Sequence, residues 1–170
     1  MIVHMVSELN GISVKELEGD IAGLKSNPEK CQVSRQLTAE WVGGTRARVH
    51  TPKGVELYIG GKGELGAMSA TLASFLACEV DLLATRATME GIELEKLTVE
   101  GKGFFDLGRY YGVAKKPSPG FKRVEYTIRI KAKNATPRQL KRLTRLCETA
   151  SPVGDTLKRK VPVELKVVVE

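Results

Sequence analysis

Residues 60–90 read GGKGELGAMSATLASFLACEVDLLATRATME, a glycine-rich loop running into a long apolar stretch with a cysteine at its middle. Counting by three and four from Cys78 gives Thr71, Ser74, Asp81 and Thr85 as one polar lane, while Leu72, Leu76, Val80, Leu83, Ala84 and Ala87 supply the apolar remainder. A helix is therefore expected from about Ala67, buried almost all the way round. The loop before it matches the dinucleotide fingerprint letter for letter, as Gly61-x-Gly63-x-x-Gly66 between a strand and a helix. A dinucleotide fold also needs a second parallel strand ending in an acid about 20 residues on. Position 86 is Arg86, still inside the helix. A Walker-type phosphate loop fails too, because Ala67-Met68 stands where lysine and a hydroxyl residue are required. The loop is read as the entry to a core helix.

Outward from that helix, Ser13 and Glu16 ahead of Leu17, Ile21 and Leu24 predict a capped amphipathic helix that ends before Asn27-Pro28. Residues 1–30 read as a helical extension and 31–170 as a single domain. β-prone stretches around Gly43-Gly44 and Pro52-Lys53-Gly54 predict a meander of three strands near 31–41, 44–51 and 55–60. After Gly91, alternation over Glu93 to Glu100 and over Val124 to Ala132 predicts two more strands, separated by a mobile loop through Pro117-Ser118-Pro119-Gly120. Thr136-Pro137 predicts a helix start, the hydroxyl as cap and proline in the first turn, with the helix running to about Thr149. Val161 to Val169 is expected to form a closing strand. Strands, a long helix, two strands, a helix and a strand do not alternate as a doubly wound fold requires, so the fold class is α+β.

The 27 Lys and Arg against 20 Asp and Glu give a net charge of +7, much of it late in the chain. Arg138, Lys141, Arg142 and Arg145 lie at helical spacing opposite Leu140, Leu143 and Leu146 with no aromatics interleaved, which is the pattern of a solvated face. No nucleic-acid partner is expected. The opening Met1-Ile2-Val3-His4-Met5-Val6 has neither a basic leader nor a sustained apolar run, and Glu79 and Asp81 interrupt the apolar helix, so a cytoplasmic protein with no membrane partner is expected. Three well-separated cysteines, Cys31, Cys78 and Cys147, fit neither a zinc knuckle nor a secreted disulfide framework. With only His4 and His50, neither a metal centre nor a Ser-His-Asp triad has enough material, and no metal or cofactor is expected.

Cys78 is the strongest chemical signal. Only a thiolate attacks peroxides, disulfides or electrophiles, and nearby charge and solvent access set its population. Asp81, one turn away, opposes ionisation, so a reactive Cys78 needs a cation from elsewhere. Arg46 and Arg48, in Trp41-Val42-Gly43-Gly44-Thr45-Arg46-Ala47-Arg48, are the candidates. The opposite reading is that Cys78 is a small inert hydrophobe in a packed helix.

Taken in order, Trp41-x-Gly43-Gly44, the Gly-Gly-x-Gly loop, the helix with its central cysteine, Pro119-Gly120-Phe121 before a strand, and Ser151-Pro152-Val153-x-x-Thr156-Leu157 resemble the OsmC/Ohr family over roughly residues 31 to 170. The resemblance implies an intertwined homodimer in which two antiparallel sheets enclose the long cysteine helices, with active sites at the subunit boundary. It implies Cys78 as peroxidatic thiolate and Arg46, or else Arg48, as the activating arginine. A small organic hydroperoxide would be the substrate. In the peroxidase branches a second cysteine, in a Cys-Pro pair, resolves the sulfenic acid. Here Ser151 precedes Pro152, so resolution falls to an outside thiol or to Cys147, about one helical turn earlier. Those branches also carry Asn-Pro-Glu, whose carboxylate helps hold the arginine, where this chain has Ala67-Met68-Ser69. The resemblance thus supports either a one-cysteine peroxide-reducing or redox protein, or a non-catalytic relative that binds a small apolar ligand or partner at the dimer interface.

Overall fold

The computed structural model, which describes residues 7–169, begins with two short antiparallel strands, β1 (Glu8–Leu9) and β2 (Ile12–Ser13). Asn10 and Gly11 turn between them with φ of 56° and 76°, a geometry that Asn-Gly adopts at little steric cost. The Asn10 side chain also ties this hairpin to the rest of the chain. It donates to Thr88 Oγ1 at 3.1 Å and to the Ile92 carbonyl at 2.8 Å, and accepts from the Leu94 N–H at 2.8 Å. Two-residue strands leave no periodicity to read, which is why the hairpin has no counterpart in the sequence analysis. Helix α1 (Val14–Ser26) follows, with Ser13 Oγ accepting from the Glu16 N–H as its cap, and it stops before Asn27-Pro28 as expected. His4 lies outside the described residues.

Strands β3 (Thr38–Trp41), β4 (Ala47–His50) and β5 (Glu56–Ile59) form the predicted antiparallel meander in the order β3-β4-β5. β4 and β5 are shorter than their β-prone stretches because the positive-φ glycines at 43, 44, 54 and 60 claim the flanking residues for turns, and β3 is shorter because residues 32–37 form no strand. Trp41, Leu57 and Tyr58 stand exposed on this sheet, so within one chain it covers no core.

The core forms around α2 (Ala67–Met89) and the hairpin of β6 (Leu94–Phe104) and β7 (Arg123–Ala132). Burial of α2 differs from expectation. Only the stripe Phe75, Glu79, Leu83, Ala87 and Thr88 is buried, while Ala73, Ser74, Ala77, Val80 and Asp81 are exposed. Among the described residues the neighbours that bury α2 lie on one side of the helix. By length and composition α2 could cross a membrane, yet its buried stripe contains a carboxylate and packs against protein. β6 runs past Glu100 to Phe104, because Gly101 and Gly103 permit close packing instead of ending the strand. A Cβ on Gly101 would come within 2.8 Å of Leu76, and one on Gly103 within 2.2 Å of the Phe121 ring.

The predicted helix from Pro137 divides at Arg145 into α3 (Pro137–Thr144) and α4 (Leu146–Thr149). Thr136 and Gln139 form a reciprocal capping box at its start. Helix α5 (Pro152–Lys158) comes next. Leu83, Ala87, Ile92, Leu143 and Cys147 make the innermost cluster, enclosed by Leu97, Ile128, Ile130 and Leu140 among others. The expected closing strand does not form: residues 161–169 have no strand pairing, with Val163 at 90% and Leu165 at 87% exposure. The alternation is present, but a strand also needs a free edge to pair with, and among the described residues none is brought to this segment. All three sheets among the described residues are antiparallel, as an α+β fold requires.

Candidate functional site

Cys78 sits half-buried at the middle of α2, on the flank of the buried stripe. Its Sγ lies 3.6 Å from the Ser151 Oγ. Ser151 is itself 2% exposed and caps α5, its Oγ accepting from the Gly154 N–H at 3.0 Å. Gly154 has to be small: a Cβ there would stand 2.8 Å from Ser151 Oγ and 3.3 Å from Glu79 Oε1. The serine that the sequence placed before Pro152 is thus brought to Cys78 by a capped turn.

Glu79 is fully buried beside this turn, with neither carboxylate oxygen hydrogen-bonded. The Cys147 thiol, on α4, is 2% exposed. Burial, with the adjacent Glu79 carboxylate, pushes it up from an ordinary 9.0 to about 12. Tyr126 on β7 meets Phe75 edge to face at 5.1 Å, and burial followed by the charge of Glu79 raises its phenol as well. Sequence reasoning took Glu79 only as an interruption of the apolar helix. Its position at i+4 from Phe75 and i−4 from Leu83 is the signal that places it in the buried stripe. Next to this cluster a cavity of about 260 Å³ opens between Phe75, Phe121, Val124, Tyr126 and Leu157, with Cys147 and Gly154 in its wall.

Arg46 lies elsewhere, in the turn just before β4. Its guanidinium donates to Glu64 Oε1 at 2.7 to 2.8 Å and stacks 4.0 Å above the Tyr58 ring. Glu64 Oε2 accepts from the Gly61 N–H at 3.0 Å, and a Cβ at 61 would come within 2.6 Å of that oxygen and make the Glu64 side chain shift. The hydrogen bond with Glu64 raises the Arg46 guanidinium and lowers the Glu64 carboxyl. Residues 67–69 hold no acid, but the glycine loop provides one three residues earlier. Arg48 on β4 pairs instead with Glu40 at 2.6 Å and Glu56 at 3.6 Å. Among the described residues no hydrogen bond or ion pair joins either arginine to Cys78. Cys31 is exposed on a 3-10 turn at Pro28–Cys31, far in sequence from the other thiols. Arg138, Lys141, Arg142 and Arg145 line the outer face of α3, with Arg142 paired to Glu90 at 2.5 Å. Among the described residues no cluster of three His, Cys, Asp or Glu side chains is arranged to hold a metal ion.

No curated protein matches the sequence. In structure the chain is similar to an OsmC-like protein from Mycoplasma pneumoniae, at 16% identity and a TM-score of 0.62, covering 75% of this chain and 89% of that one. It is similar to a hypothetical protein from Aquifex aeolicus VF5, at 17% identity and a TM-score of 0.59 over the same shares. It is also similar to an organic hydroperoxide resistance protein OsmC from Legionella pneumophila, at 16% identity and a TM-score of 0.52, covering 74% and 90%. At such identities these likenesses speak for the fold. Residues 60–166, from the glycine loop through α2 and the hairpin to the Ser151 turn and beyond, match the family described as OsmC-like protein. The chain belongs to the OsmC-like family.

Proposed function

We propose that the protein reduces organic hydroperoxides, or serves a closely related thiol redox role, through the thiolate of Cys78. The contrast among its thiols carries this reading: Cys78 is half-buried on the core helix beside a hydroxyl, Cys147 is sealed in, and Cys31 is open to solvent. Partial shelter with access is what a selective thiolate needs. Membership of the OsmC-like family and the Legionella relative's description as an organic hydroperoxide resistance protein support it.

In this reaction Cys78 Sγ attacks the distal peroxide oxygen. The S–O bond forms as the O–O bond breaks, the alkoxide takes a proton and leaves as an alcohol, and Cys78 becomes a sulfenic acid. Ser151 cannot close a disulfide. A low-molecular-weight thiol condenses with the sulfenic acid, releasing water, and a second thiol frees Cys78 as the external disulfide departs. A cytoplasmic setting, rich in such thiols, suits this cycle. Within one chain Arg46 is held by Glu64 and, among the described residues, makes no hydrogen bond to Cys78, so in this reading it serves the site from the partner protomer of a homodimer. A homodimer accounts for the bare side of α2, the exposed three-stranded sheet and the apolar tail at 161–169, all of which lack neighbours within one chain.

One equivalent of organic hydroperoxide should oxidise Cys78 at neutral pH within the mixing time, trapped as a sulfenic-acid adduct, and Cys78→Ser should abolish the signal. Oxidation no faster than that of free cysteine would refute the proposal. The cavity beside Cys147 favours a second reading, binding of a small apolar molecule. In that case Cys78→Ser keeps its affinity for an apolar fluorescent probe while peroxide leaves Cys78 untouched.

A further inference from the structure

A serine hydroxyl has one hydrogen to donate and lone pairs to accept with. The Ser151 oxygen already accepts from Gly154, and among the described residues the one other polar atom in hydrogen-bond contact with it is Cys78 Sγ at 3.6 Å. At 2% exposure, solvent offers the hydroxyl little alternative. While Cys78 is a thiol, either group can donate. Once it is a thiolate, only the hydroxyl can, and a hydrogen bond to an ionised acceptor is the stronger kind. The contact therefore favours the ionised sulfur.

The other titratable groups on the elements packed here include Glu79, Asp81 and Arg86 on α2, Cys147 and Glu148 on α4, Asp155 and Lys158 on α5, and Tyr126 on β7. Lys158 Nζ donates to the Glu148 carbonyl at 2.9 Å, and Asp155 is paired with Arg159. Glu79, buried with both oxygens unpartnered, points its Oε1 at the same turn, since one Cβ placed on Gly154 would touch both it and the Ser151 hydroxyl. Among the described residues the Ser151 hydroxyl is the one group in hydrogen-bond contact with Cys78 Sγ.

From this we propose that Ser151 is a positioning residue for Cys78: its hydroxyl, aimed by the Gly154 N–H, donates to the Cys78 thiolate and holds the sulfur toward the turn before Pro152. The inference rests on the reading of Cys78 as the reacting thiol, and it gives the serine at this position a role of its own.

The test uses the full chain carrying Cys31→Ser, with iodoacetamide labelling of Cys78 followed by mass spectrometry between about pH 5 and 10. Ser151→Ala should move the labelling profile to higher pH and slow labelling at neutral pH by about three- to tenfold, the size of one ordinary hydrogen bond. Thr136→Ala removes the same kind of cap from α3 and should lower the melting temperature comparably without moving the profile. A Ser151→Ala profile that coincides with that of the parent overturns the proposal. Should Ser151→Ala fail to fold, Ser151→Cys decides: diamide should join the introduced thiol to Cys78, and absence of that disulfide overturns the proposal too. Neither readout involves peroxide, so a Cys78 that ignores hydroperoxide would remove the proposed function while leaving this result standing.

Discussion

Cys147 separates the two routes by which a sulfenic acid at Cys78 could be resolved. Its thiol is pushed from 9.0 to about 12, first by burial and then by Glu79. Each unit is a factor of ten in thiolate population, so at neutral pH Cys147 carries about a thousandfold less thiolate than an ordinary cysteine, before its 2% exposure is considered. Native labelling with a thiol reagent, resolved by site, should modify Cys31 and Cys78 and leave Cys147 slower than Cys31 by about a thousandfold or more. In denaturant the three should label alike. Hydroperoxide-treated protein should contain no Cys78–Cys147 disulfide, and Cys147→Ser should leave turnover with external thiol intact. Native labelling of Cys147 within about tenfold of Cys31, or appearance of that disulfide, would refute the reasoning. The same shift sets a sign for stability. The folded state holds the Cys147 proton more tightly than the unfolded chain, so this stabilisation is complete below about pH 9 and is lost as pH rises toward 12. Chemical denaturation across that range should show the alkaline decline, and Cys147→Ala should flatten it.

Two further outcomes are expected. Glu64→Gln loosens the clamp on Arg46 and should slow peroxide consumption by about tenfold to a hundredfold, the usual cost of a misplaced catalytic group, whereas Glu40→Gln, which loosens Arg48 in the same way, should leave the rate unchanged. Equal effects of the two in a hydroperoxide assay would argue against Arg46. Asn10→Ala deletes three hydrogen bonds at about 1 kcal/mol each and strains a positive-φ position by about 1 kcal/mol more, so urea unfolding should show a loss of about 3 to 4 kcal/mol, of which Asn10→Gly restores the backbone part. A loss under about 1 kcal/mol for alanine would mean that the hairpin is not anchored through this side chain.

Much of the fold was legible because its signals are local. The Ser13 and Thr136 caps, the glycine turns between β3, β4 and β5, and the alternation in β6 and β7 each concern residues within a few positions of one another. The readings that changed concern elements whose neighbours are distant. The tail at 161–169 has a strand's alternation but finds no edge among the described residues. α2 has the composition of a fully enclosed helix but is covered on one side, and the helix from Pro137 breaks at Arg145. β6 continues past Glu100, where the predicted alternation ended, because the glycines at 101 and 103 are sites of close approach by Leu76 and Phe121.

By itself the sequence determined the α+β class, the long cysteine helix after a glycine loop, the hydroxyl at 151 and the likeness to its family, because periodicity, turn chemistry and residue order are properties of the chain alone. Tertiary structure alone decided that Ser151 reaches Cys78, that Glu79 is sealed in beside Cys147, and that Glu64 takes hold of Arg46. These pairs are separated by tens of residues or lie on different elements, and only packing fixes which polar groups lose water and which partners they meet in its place.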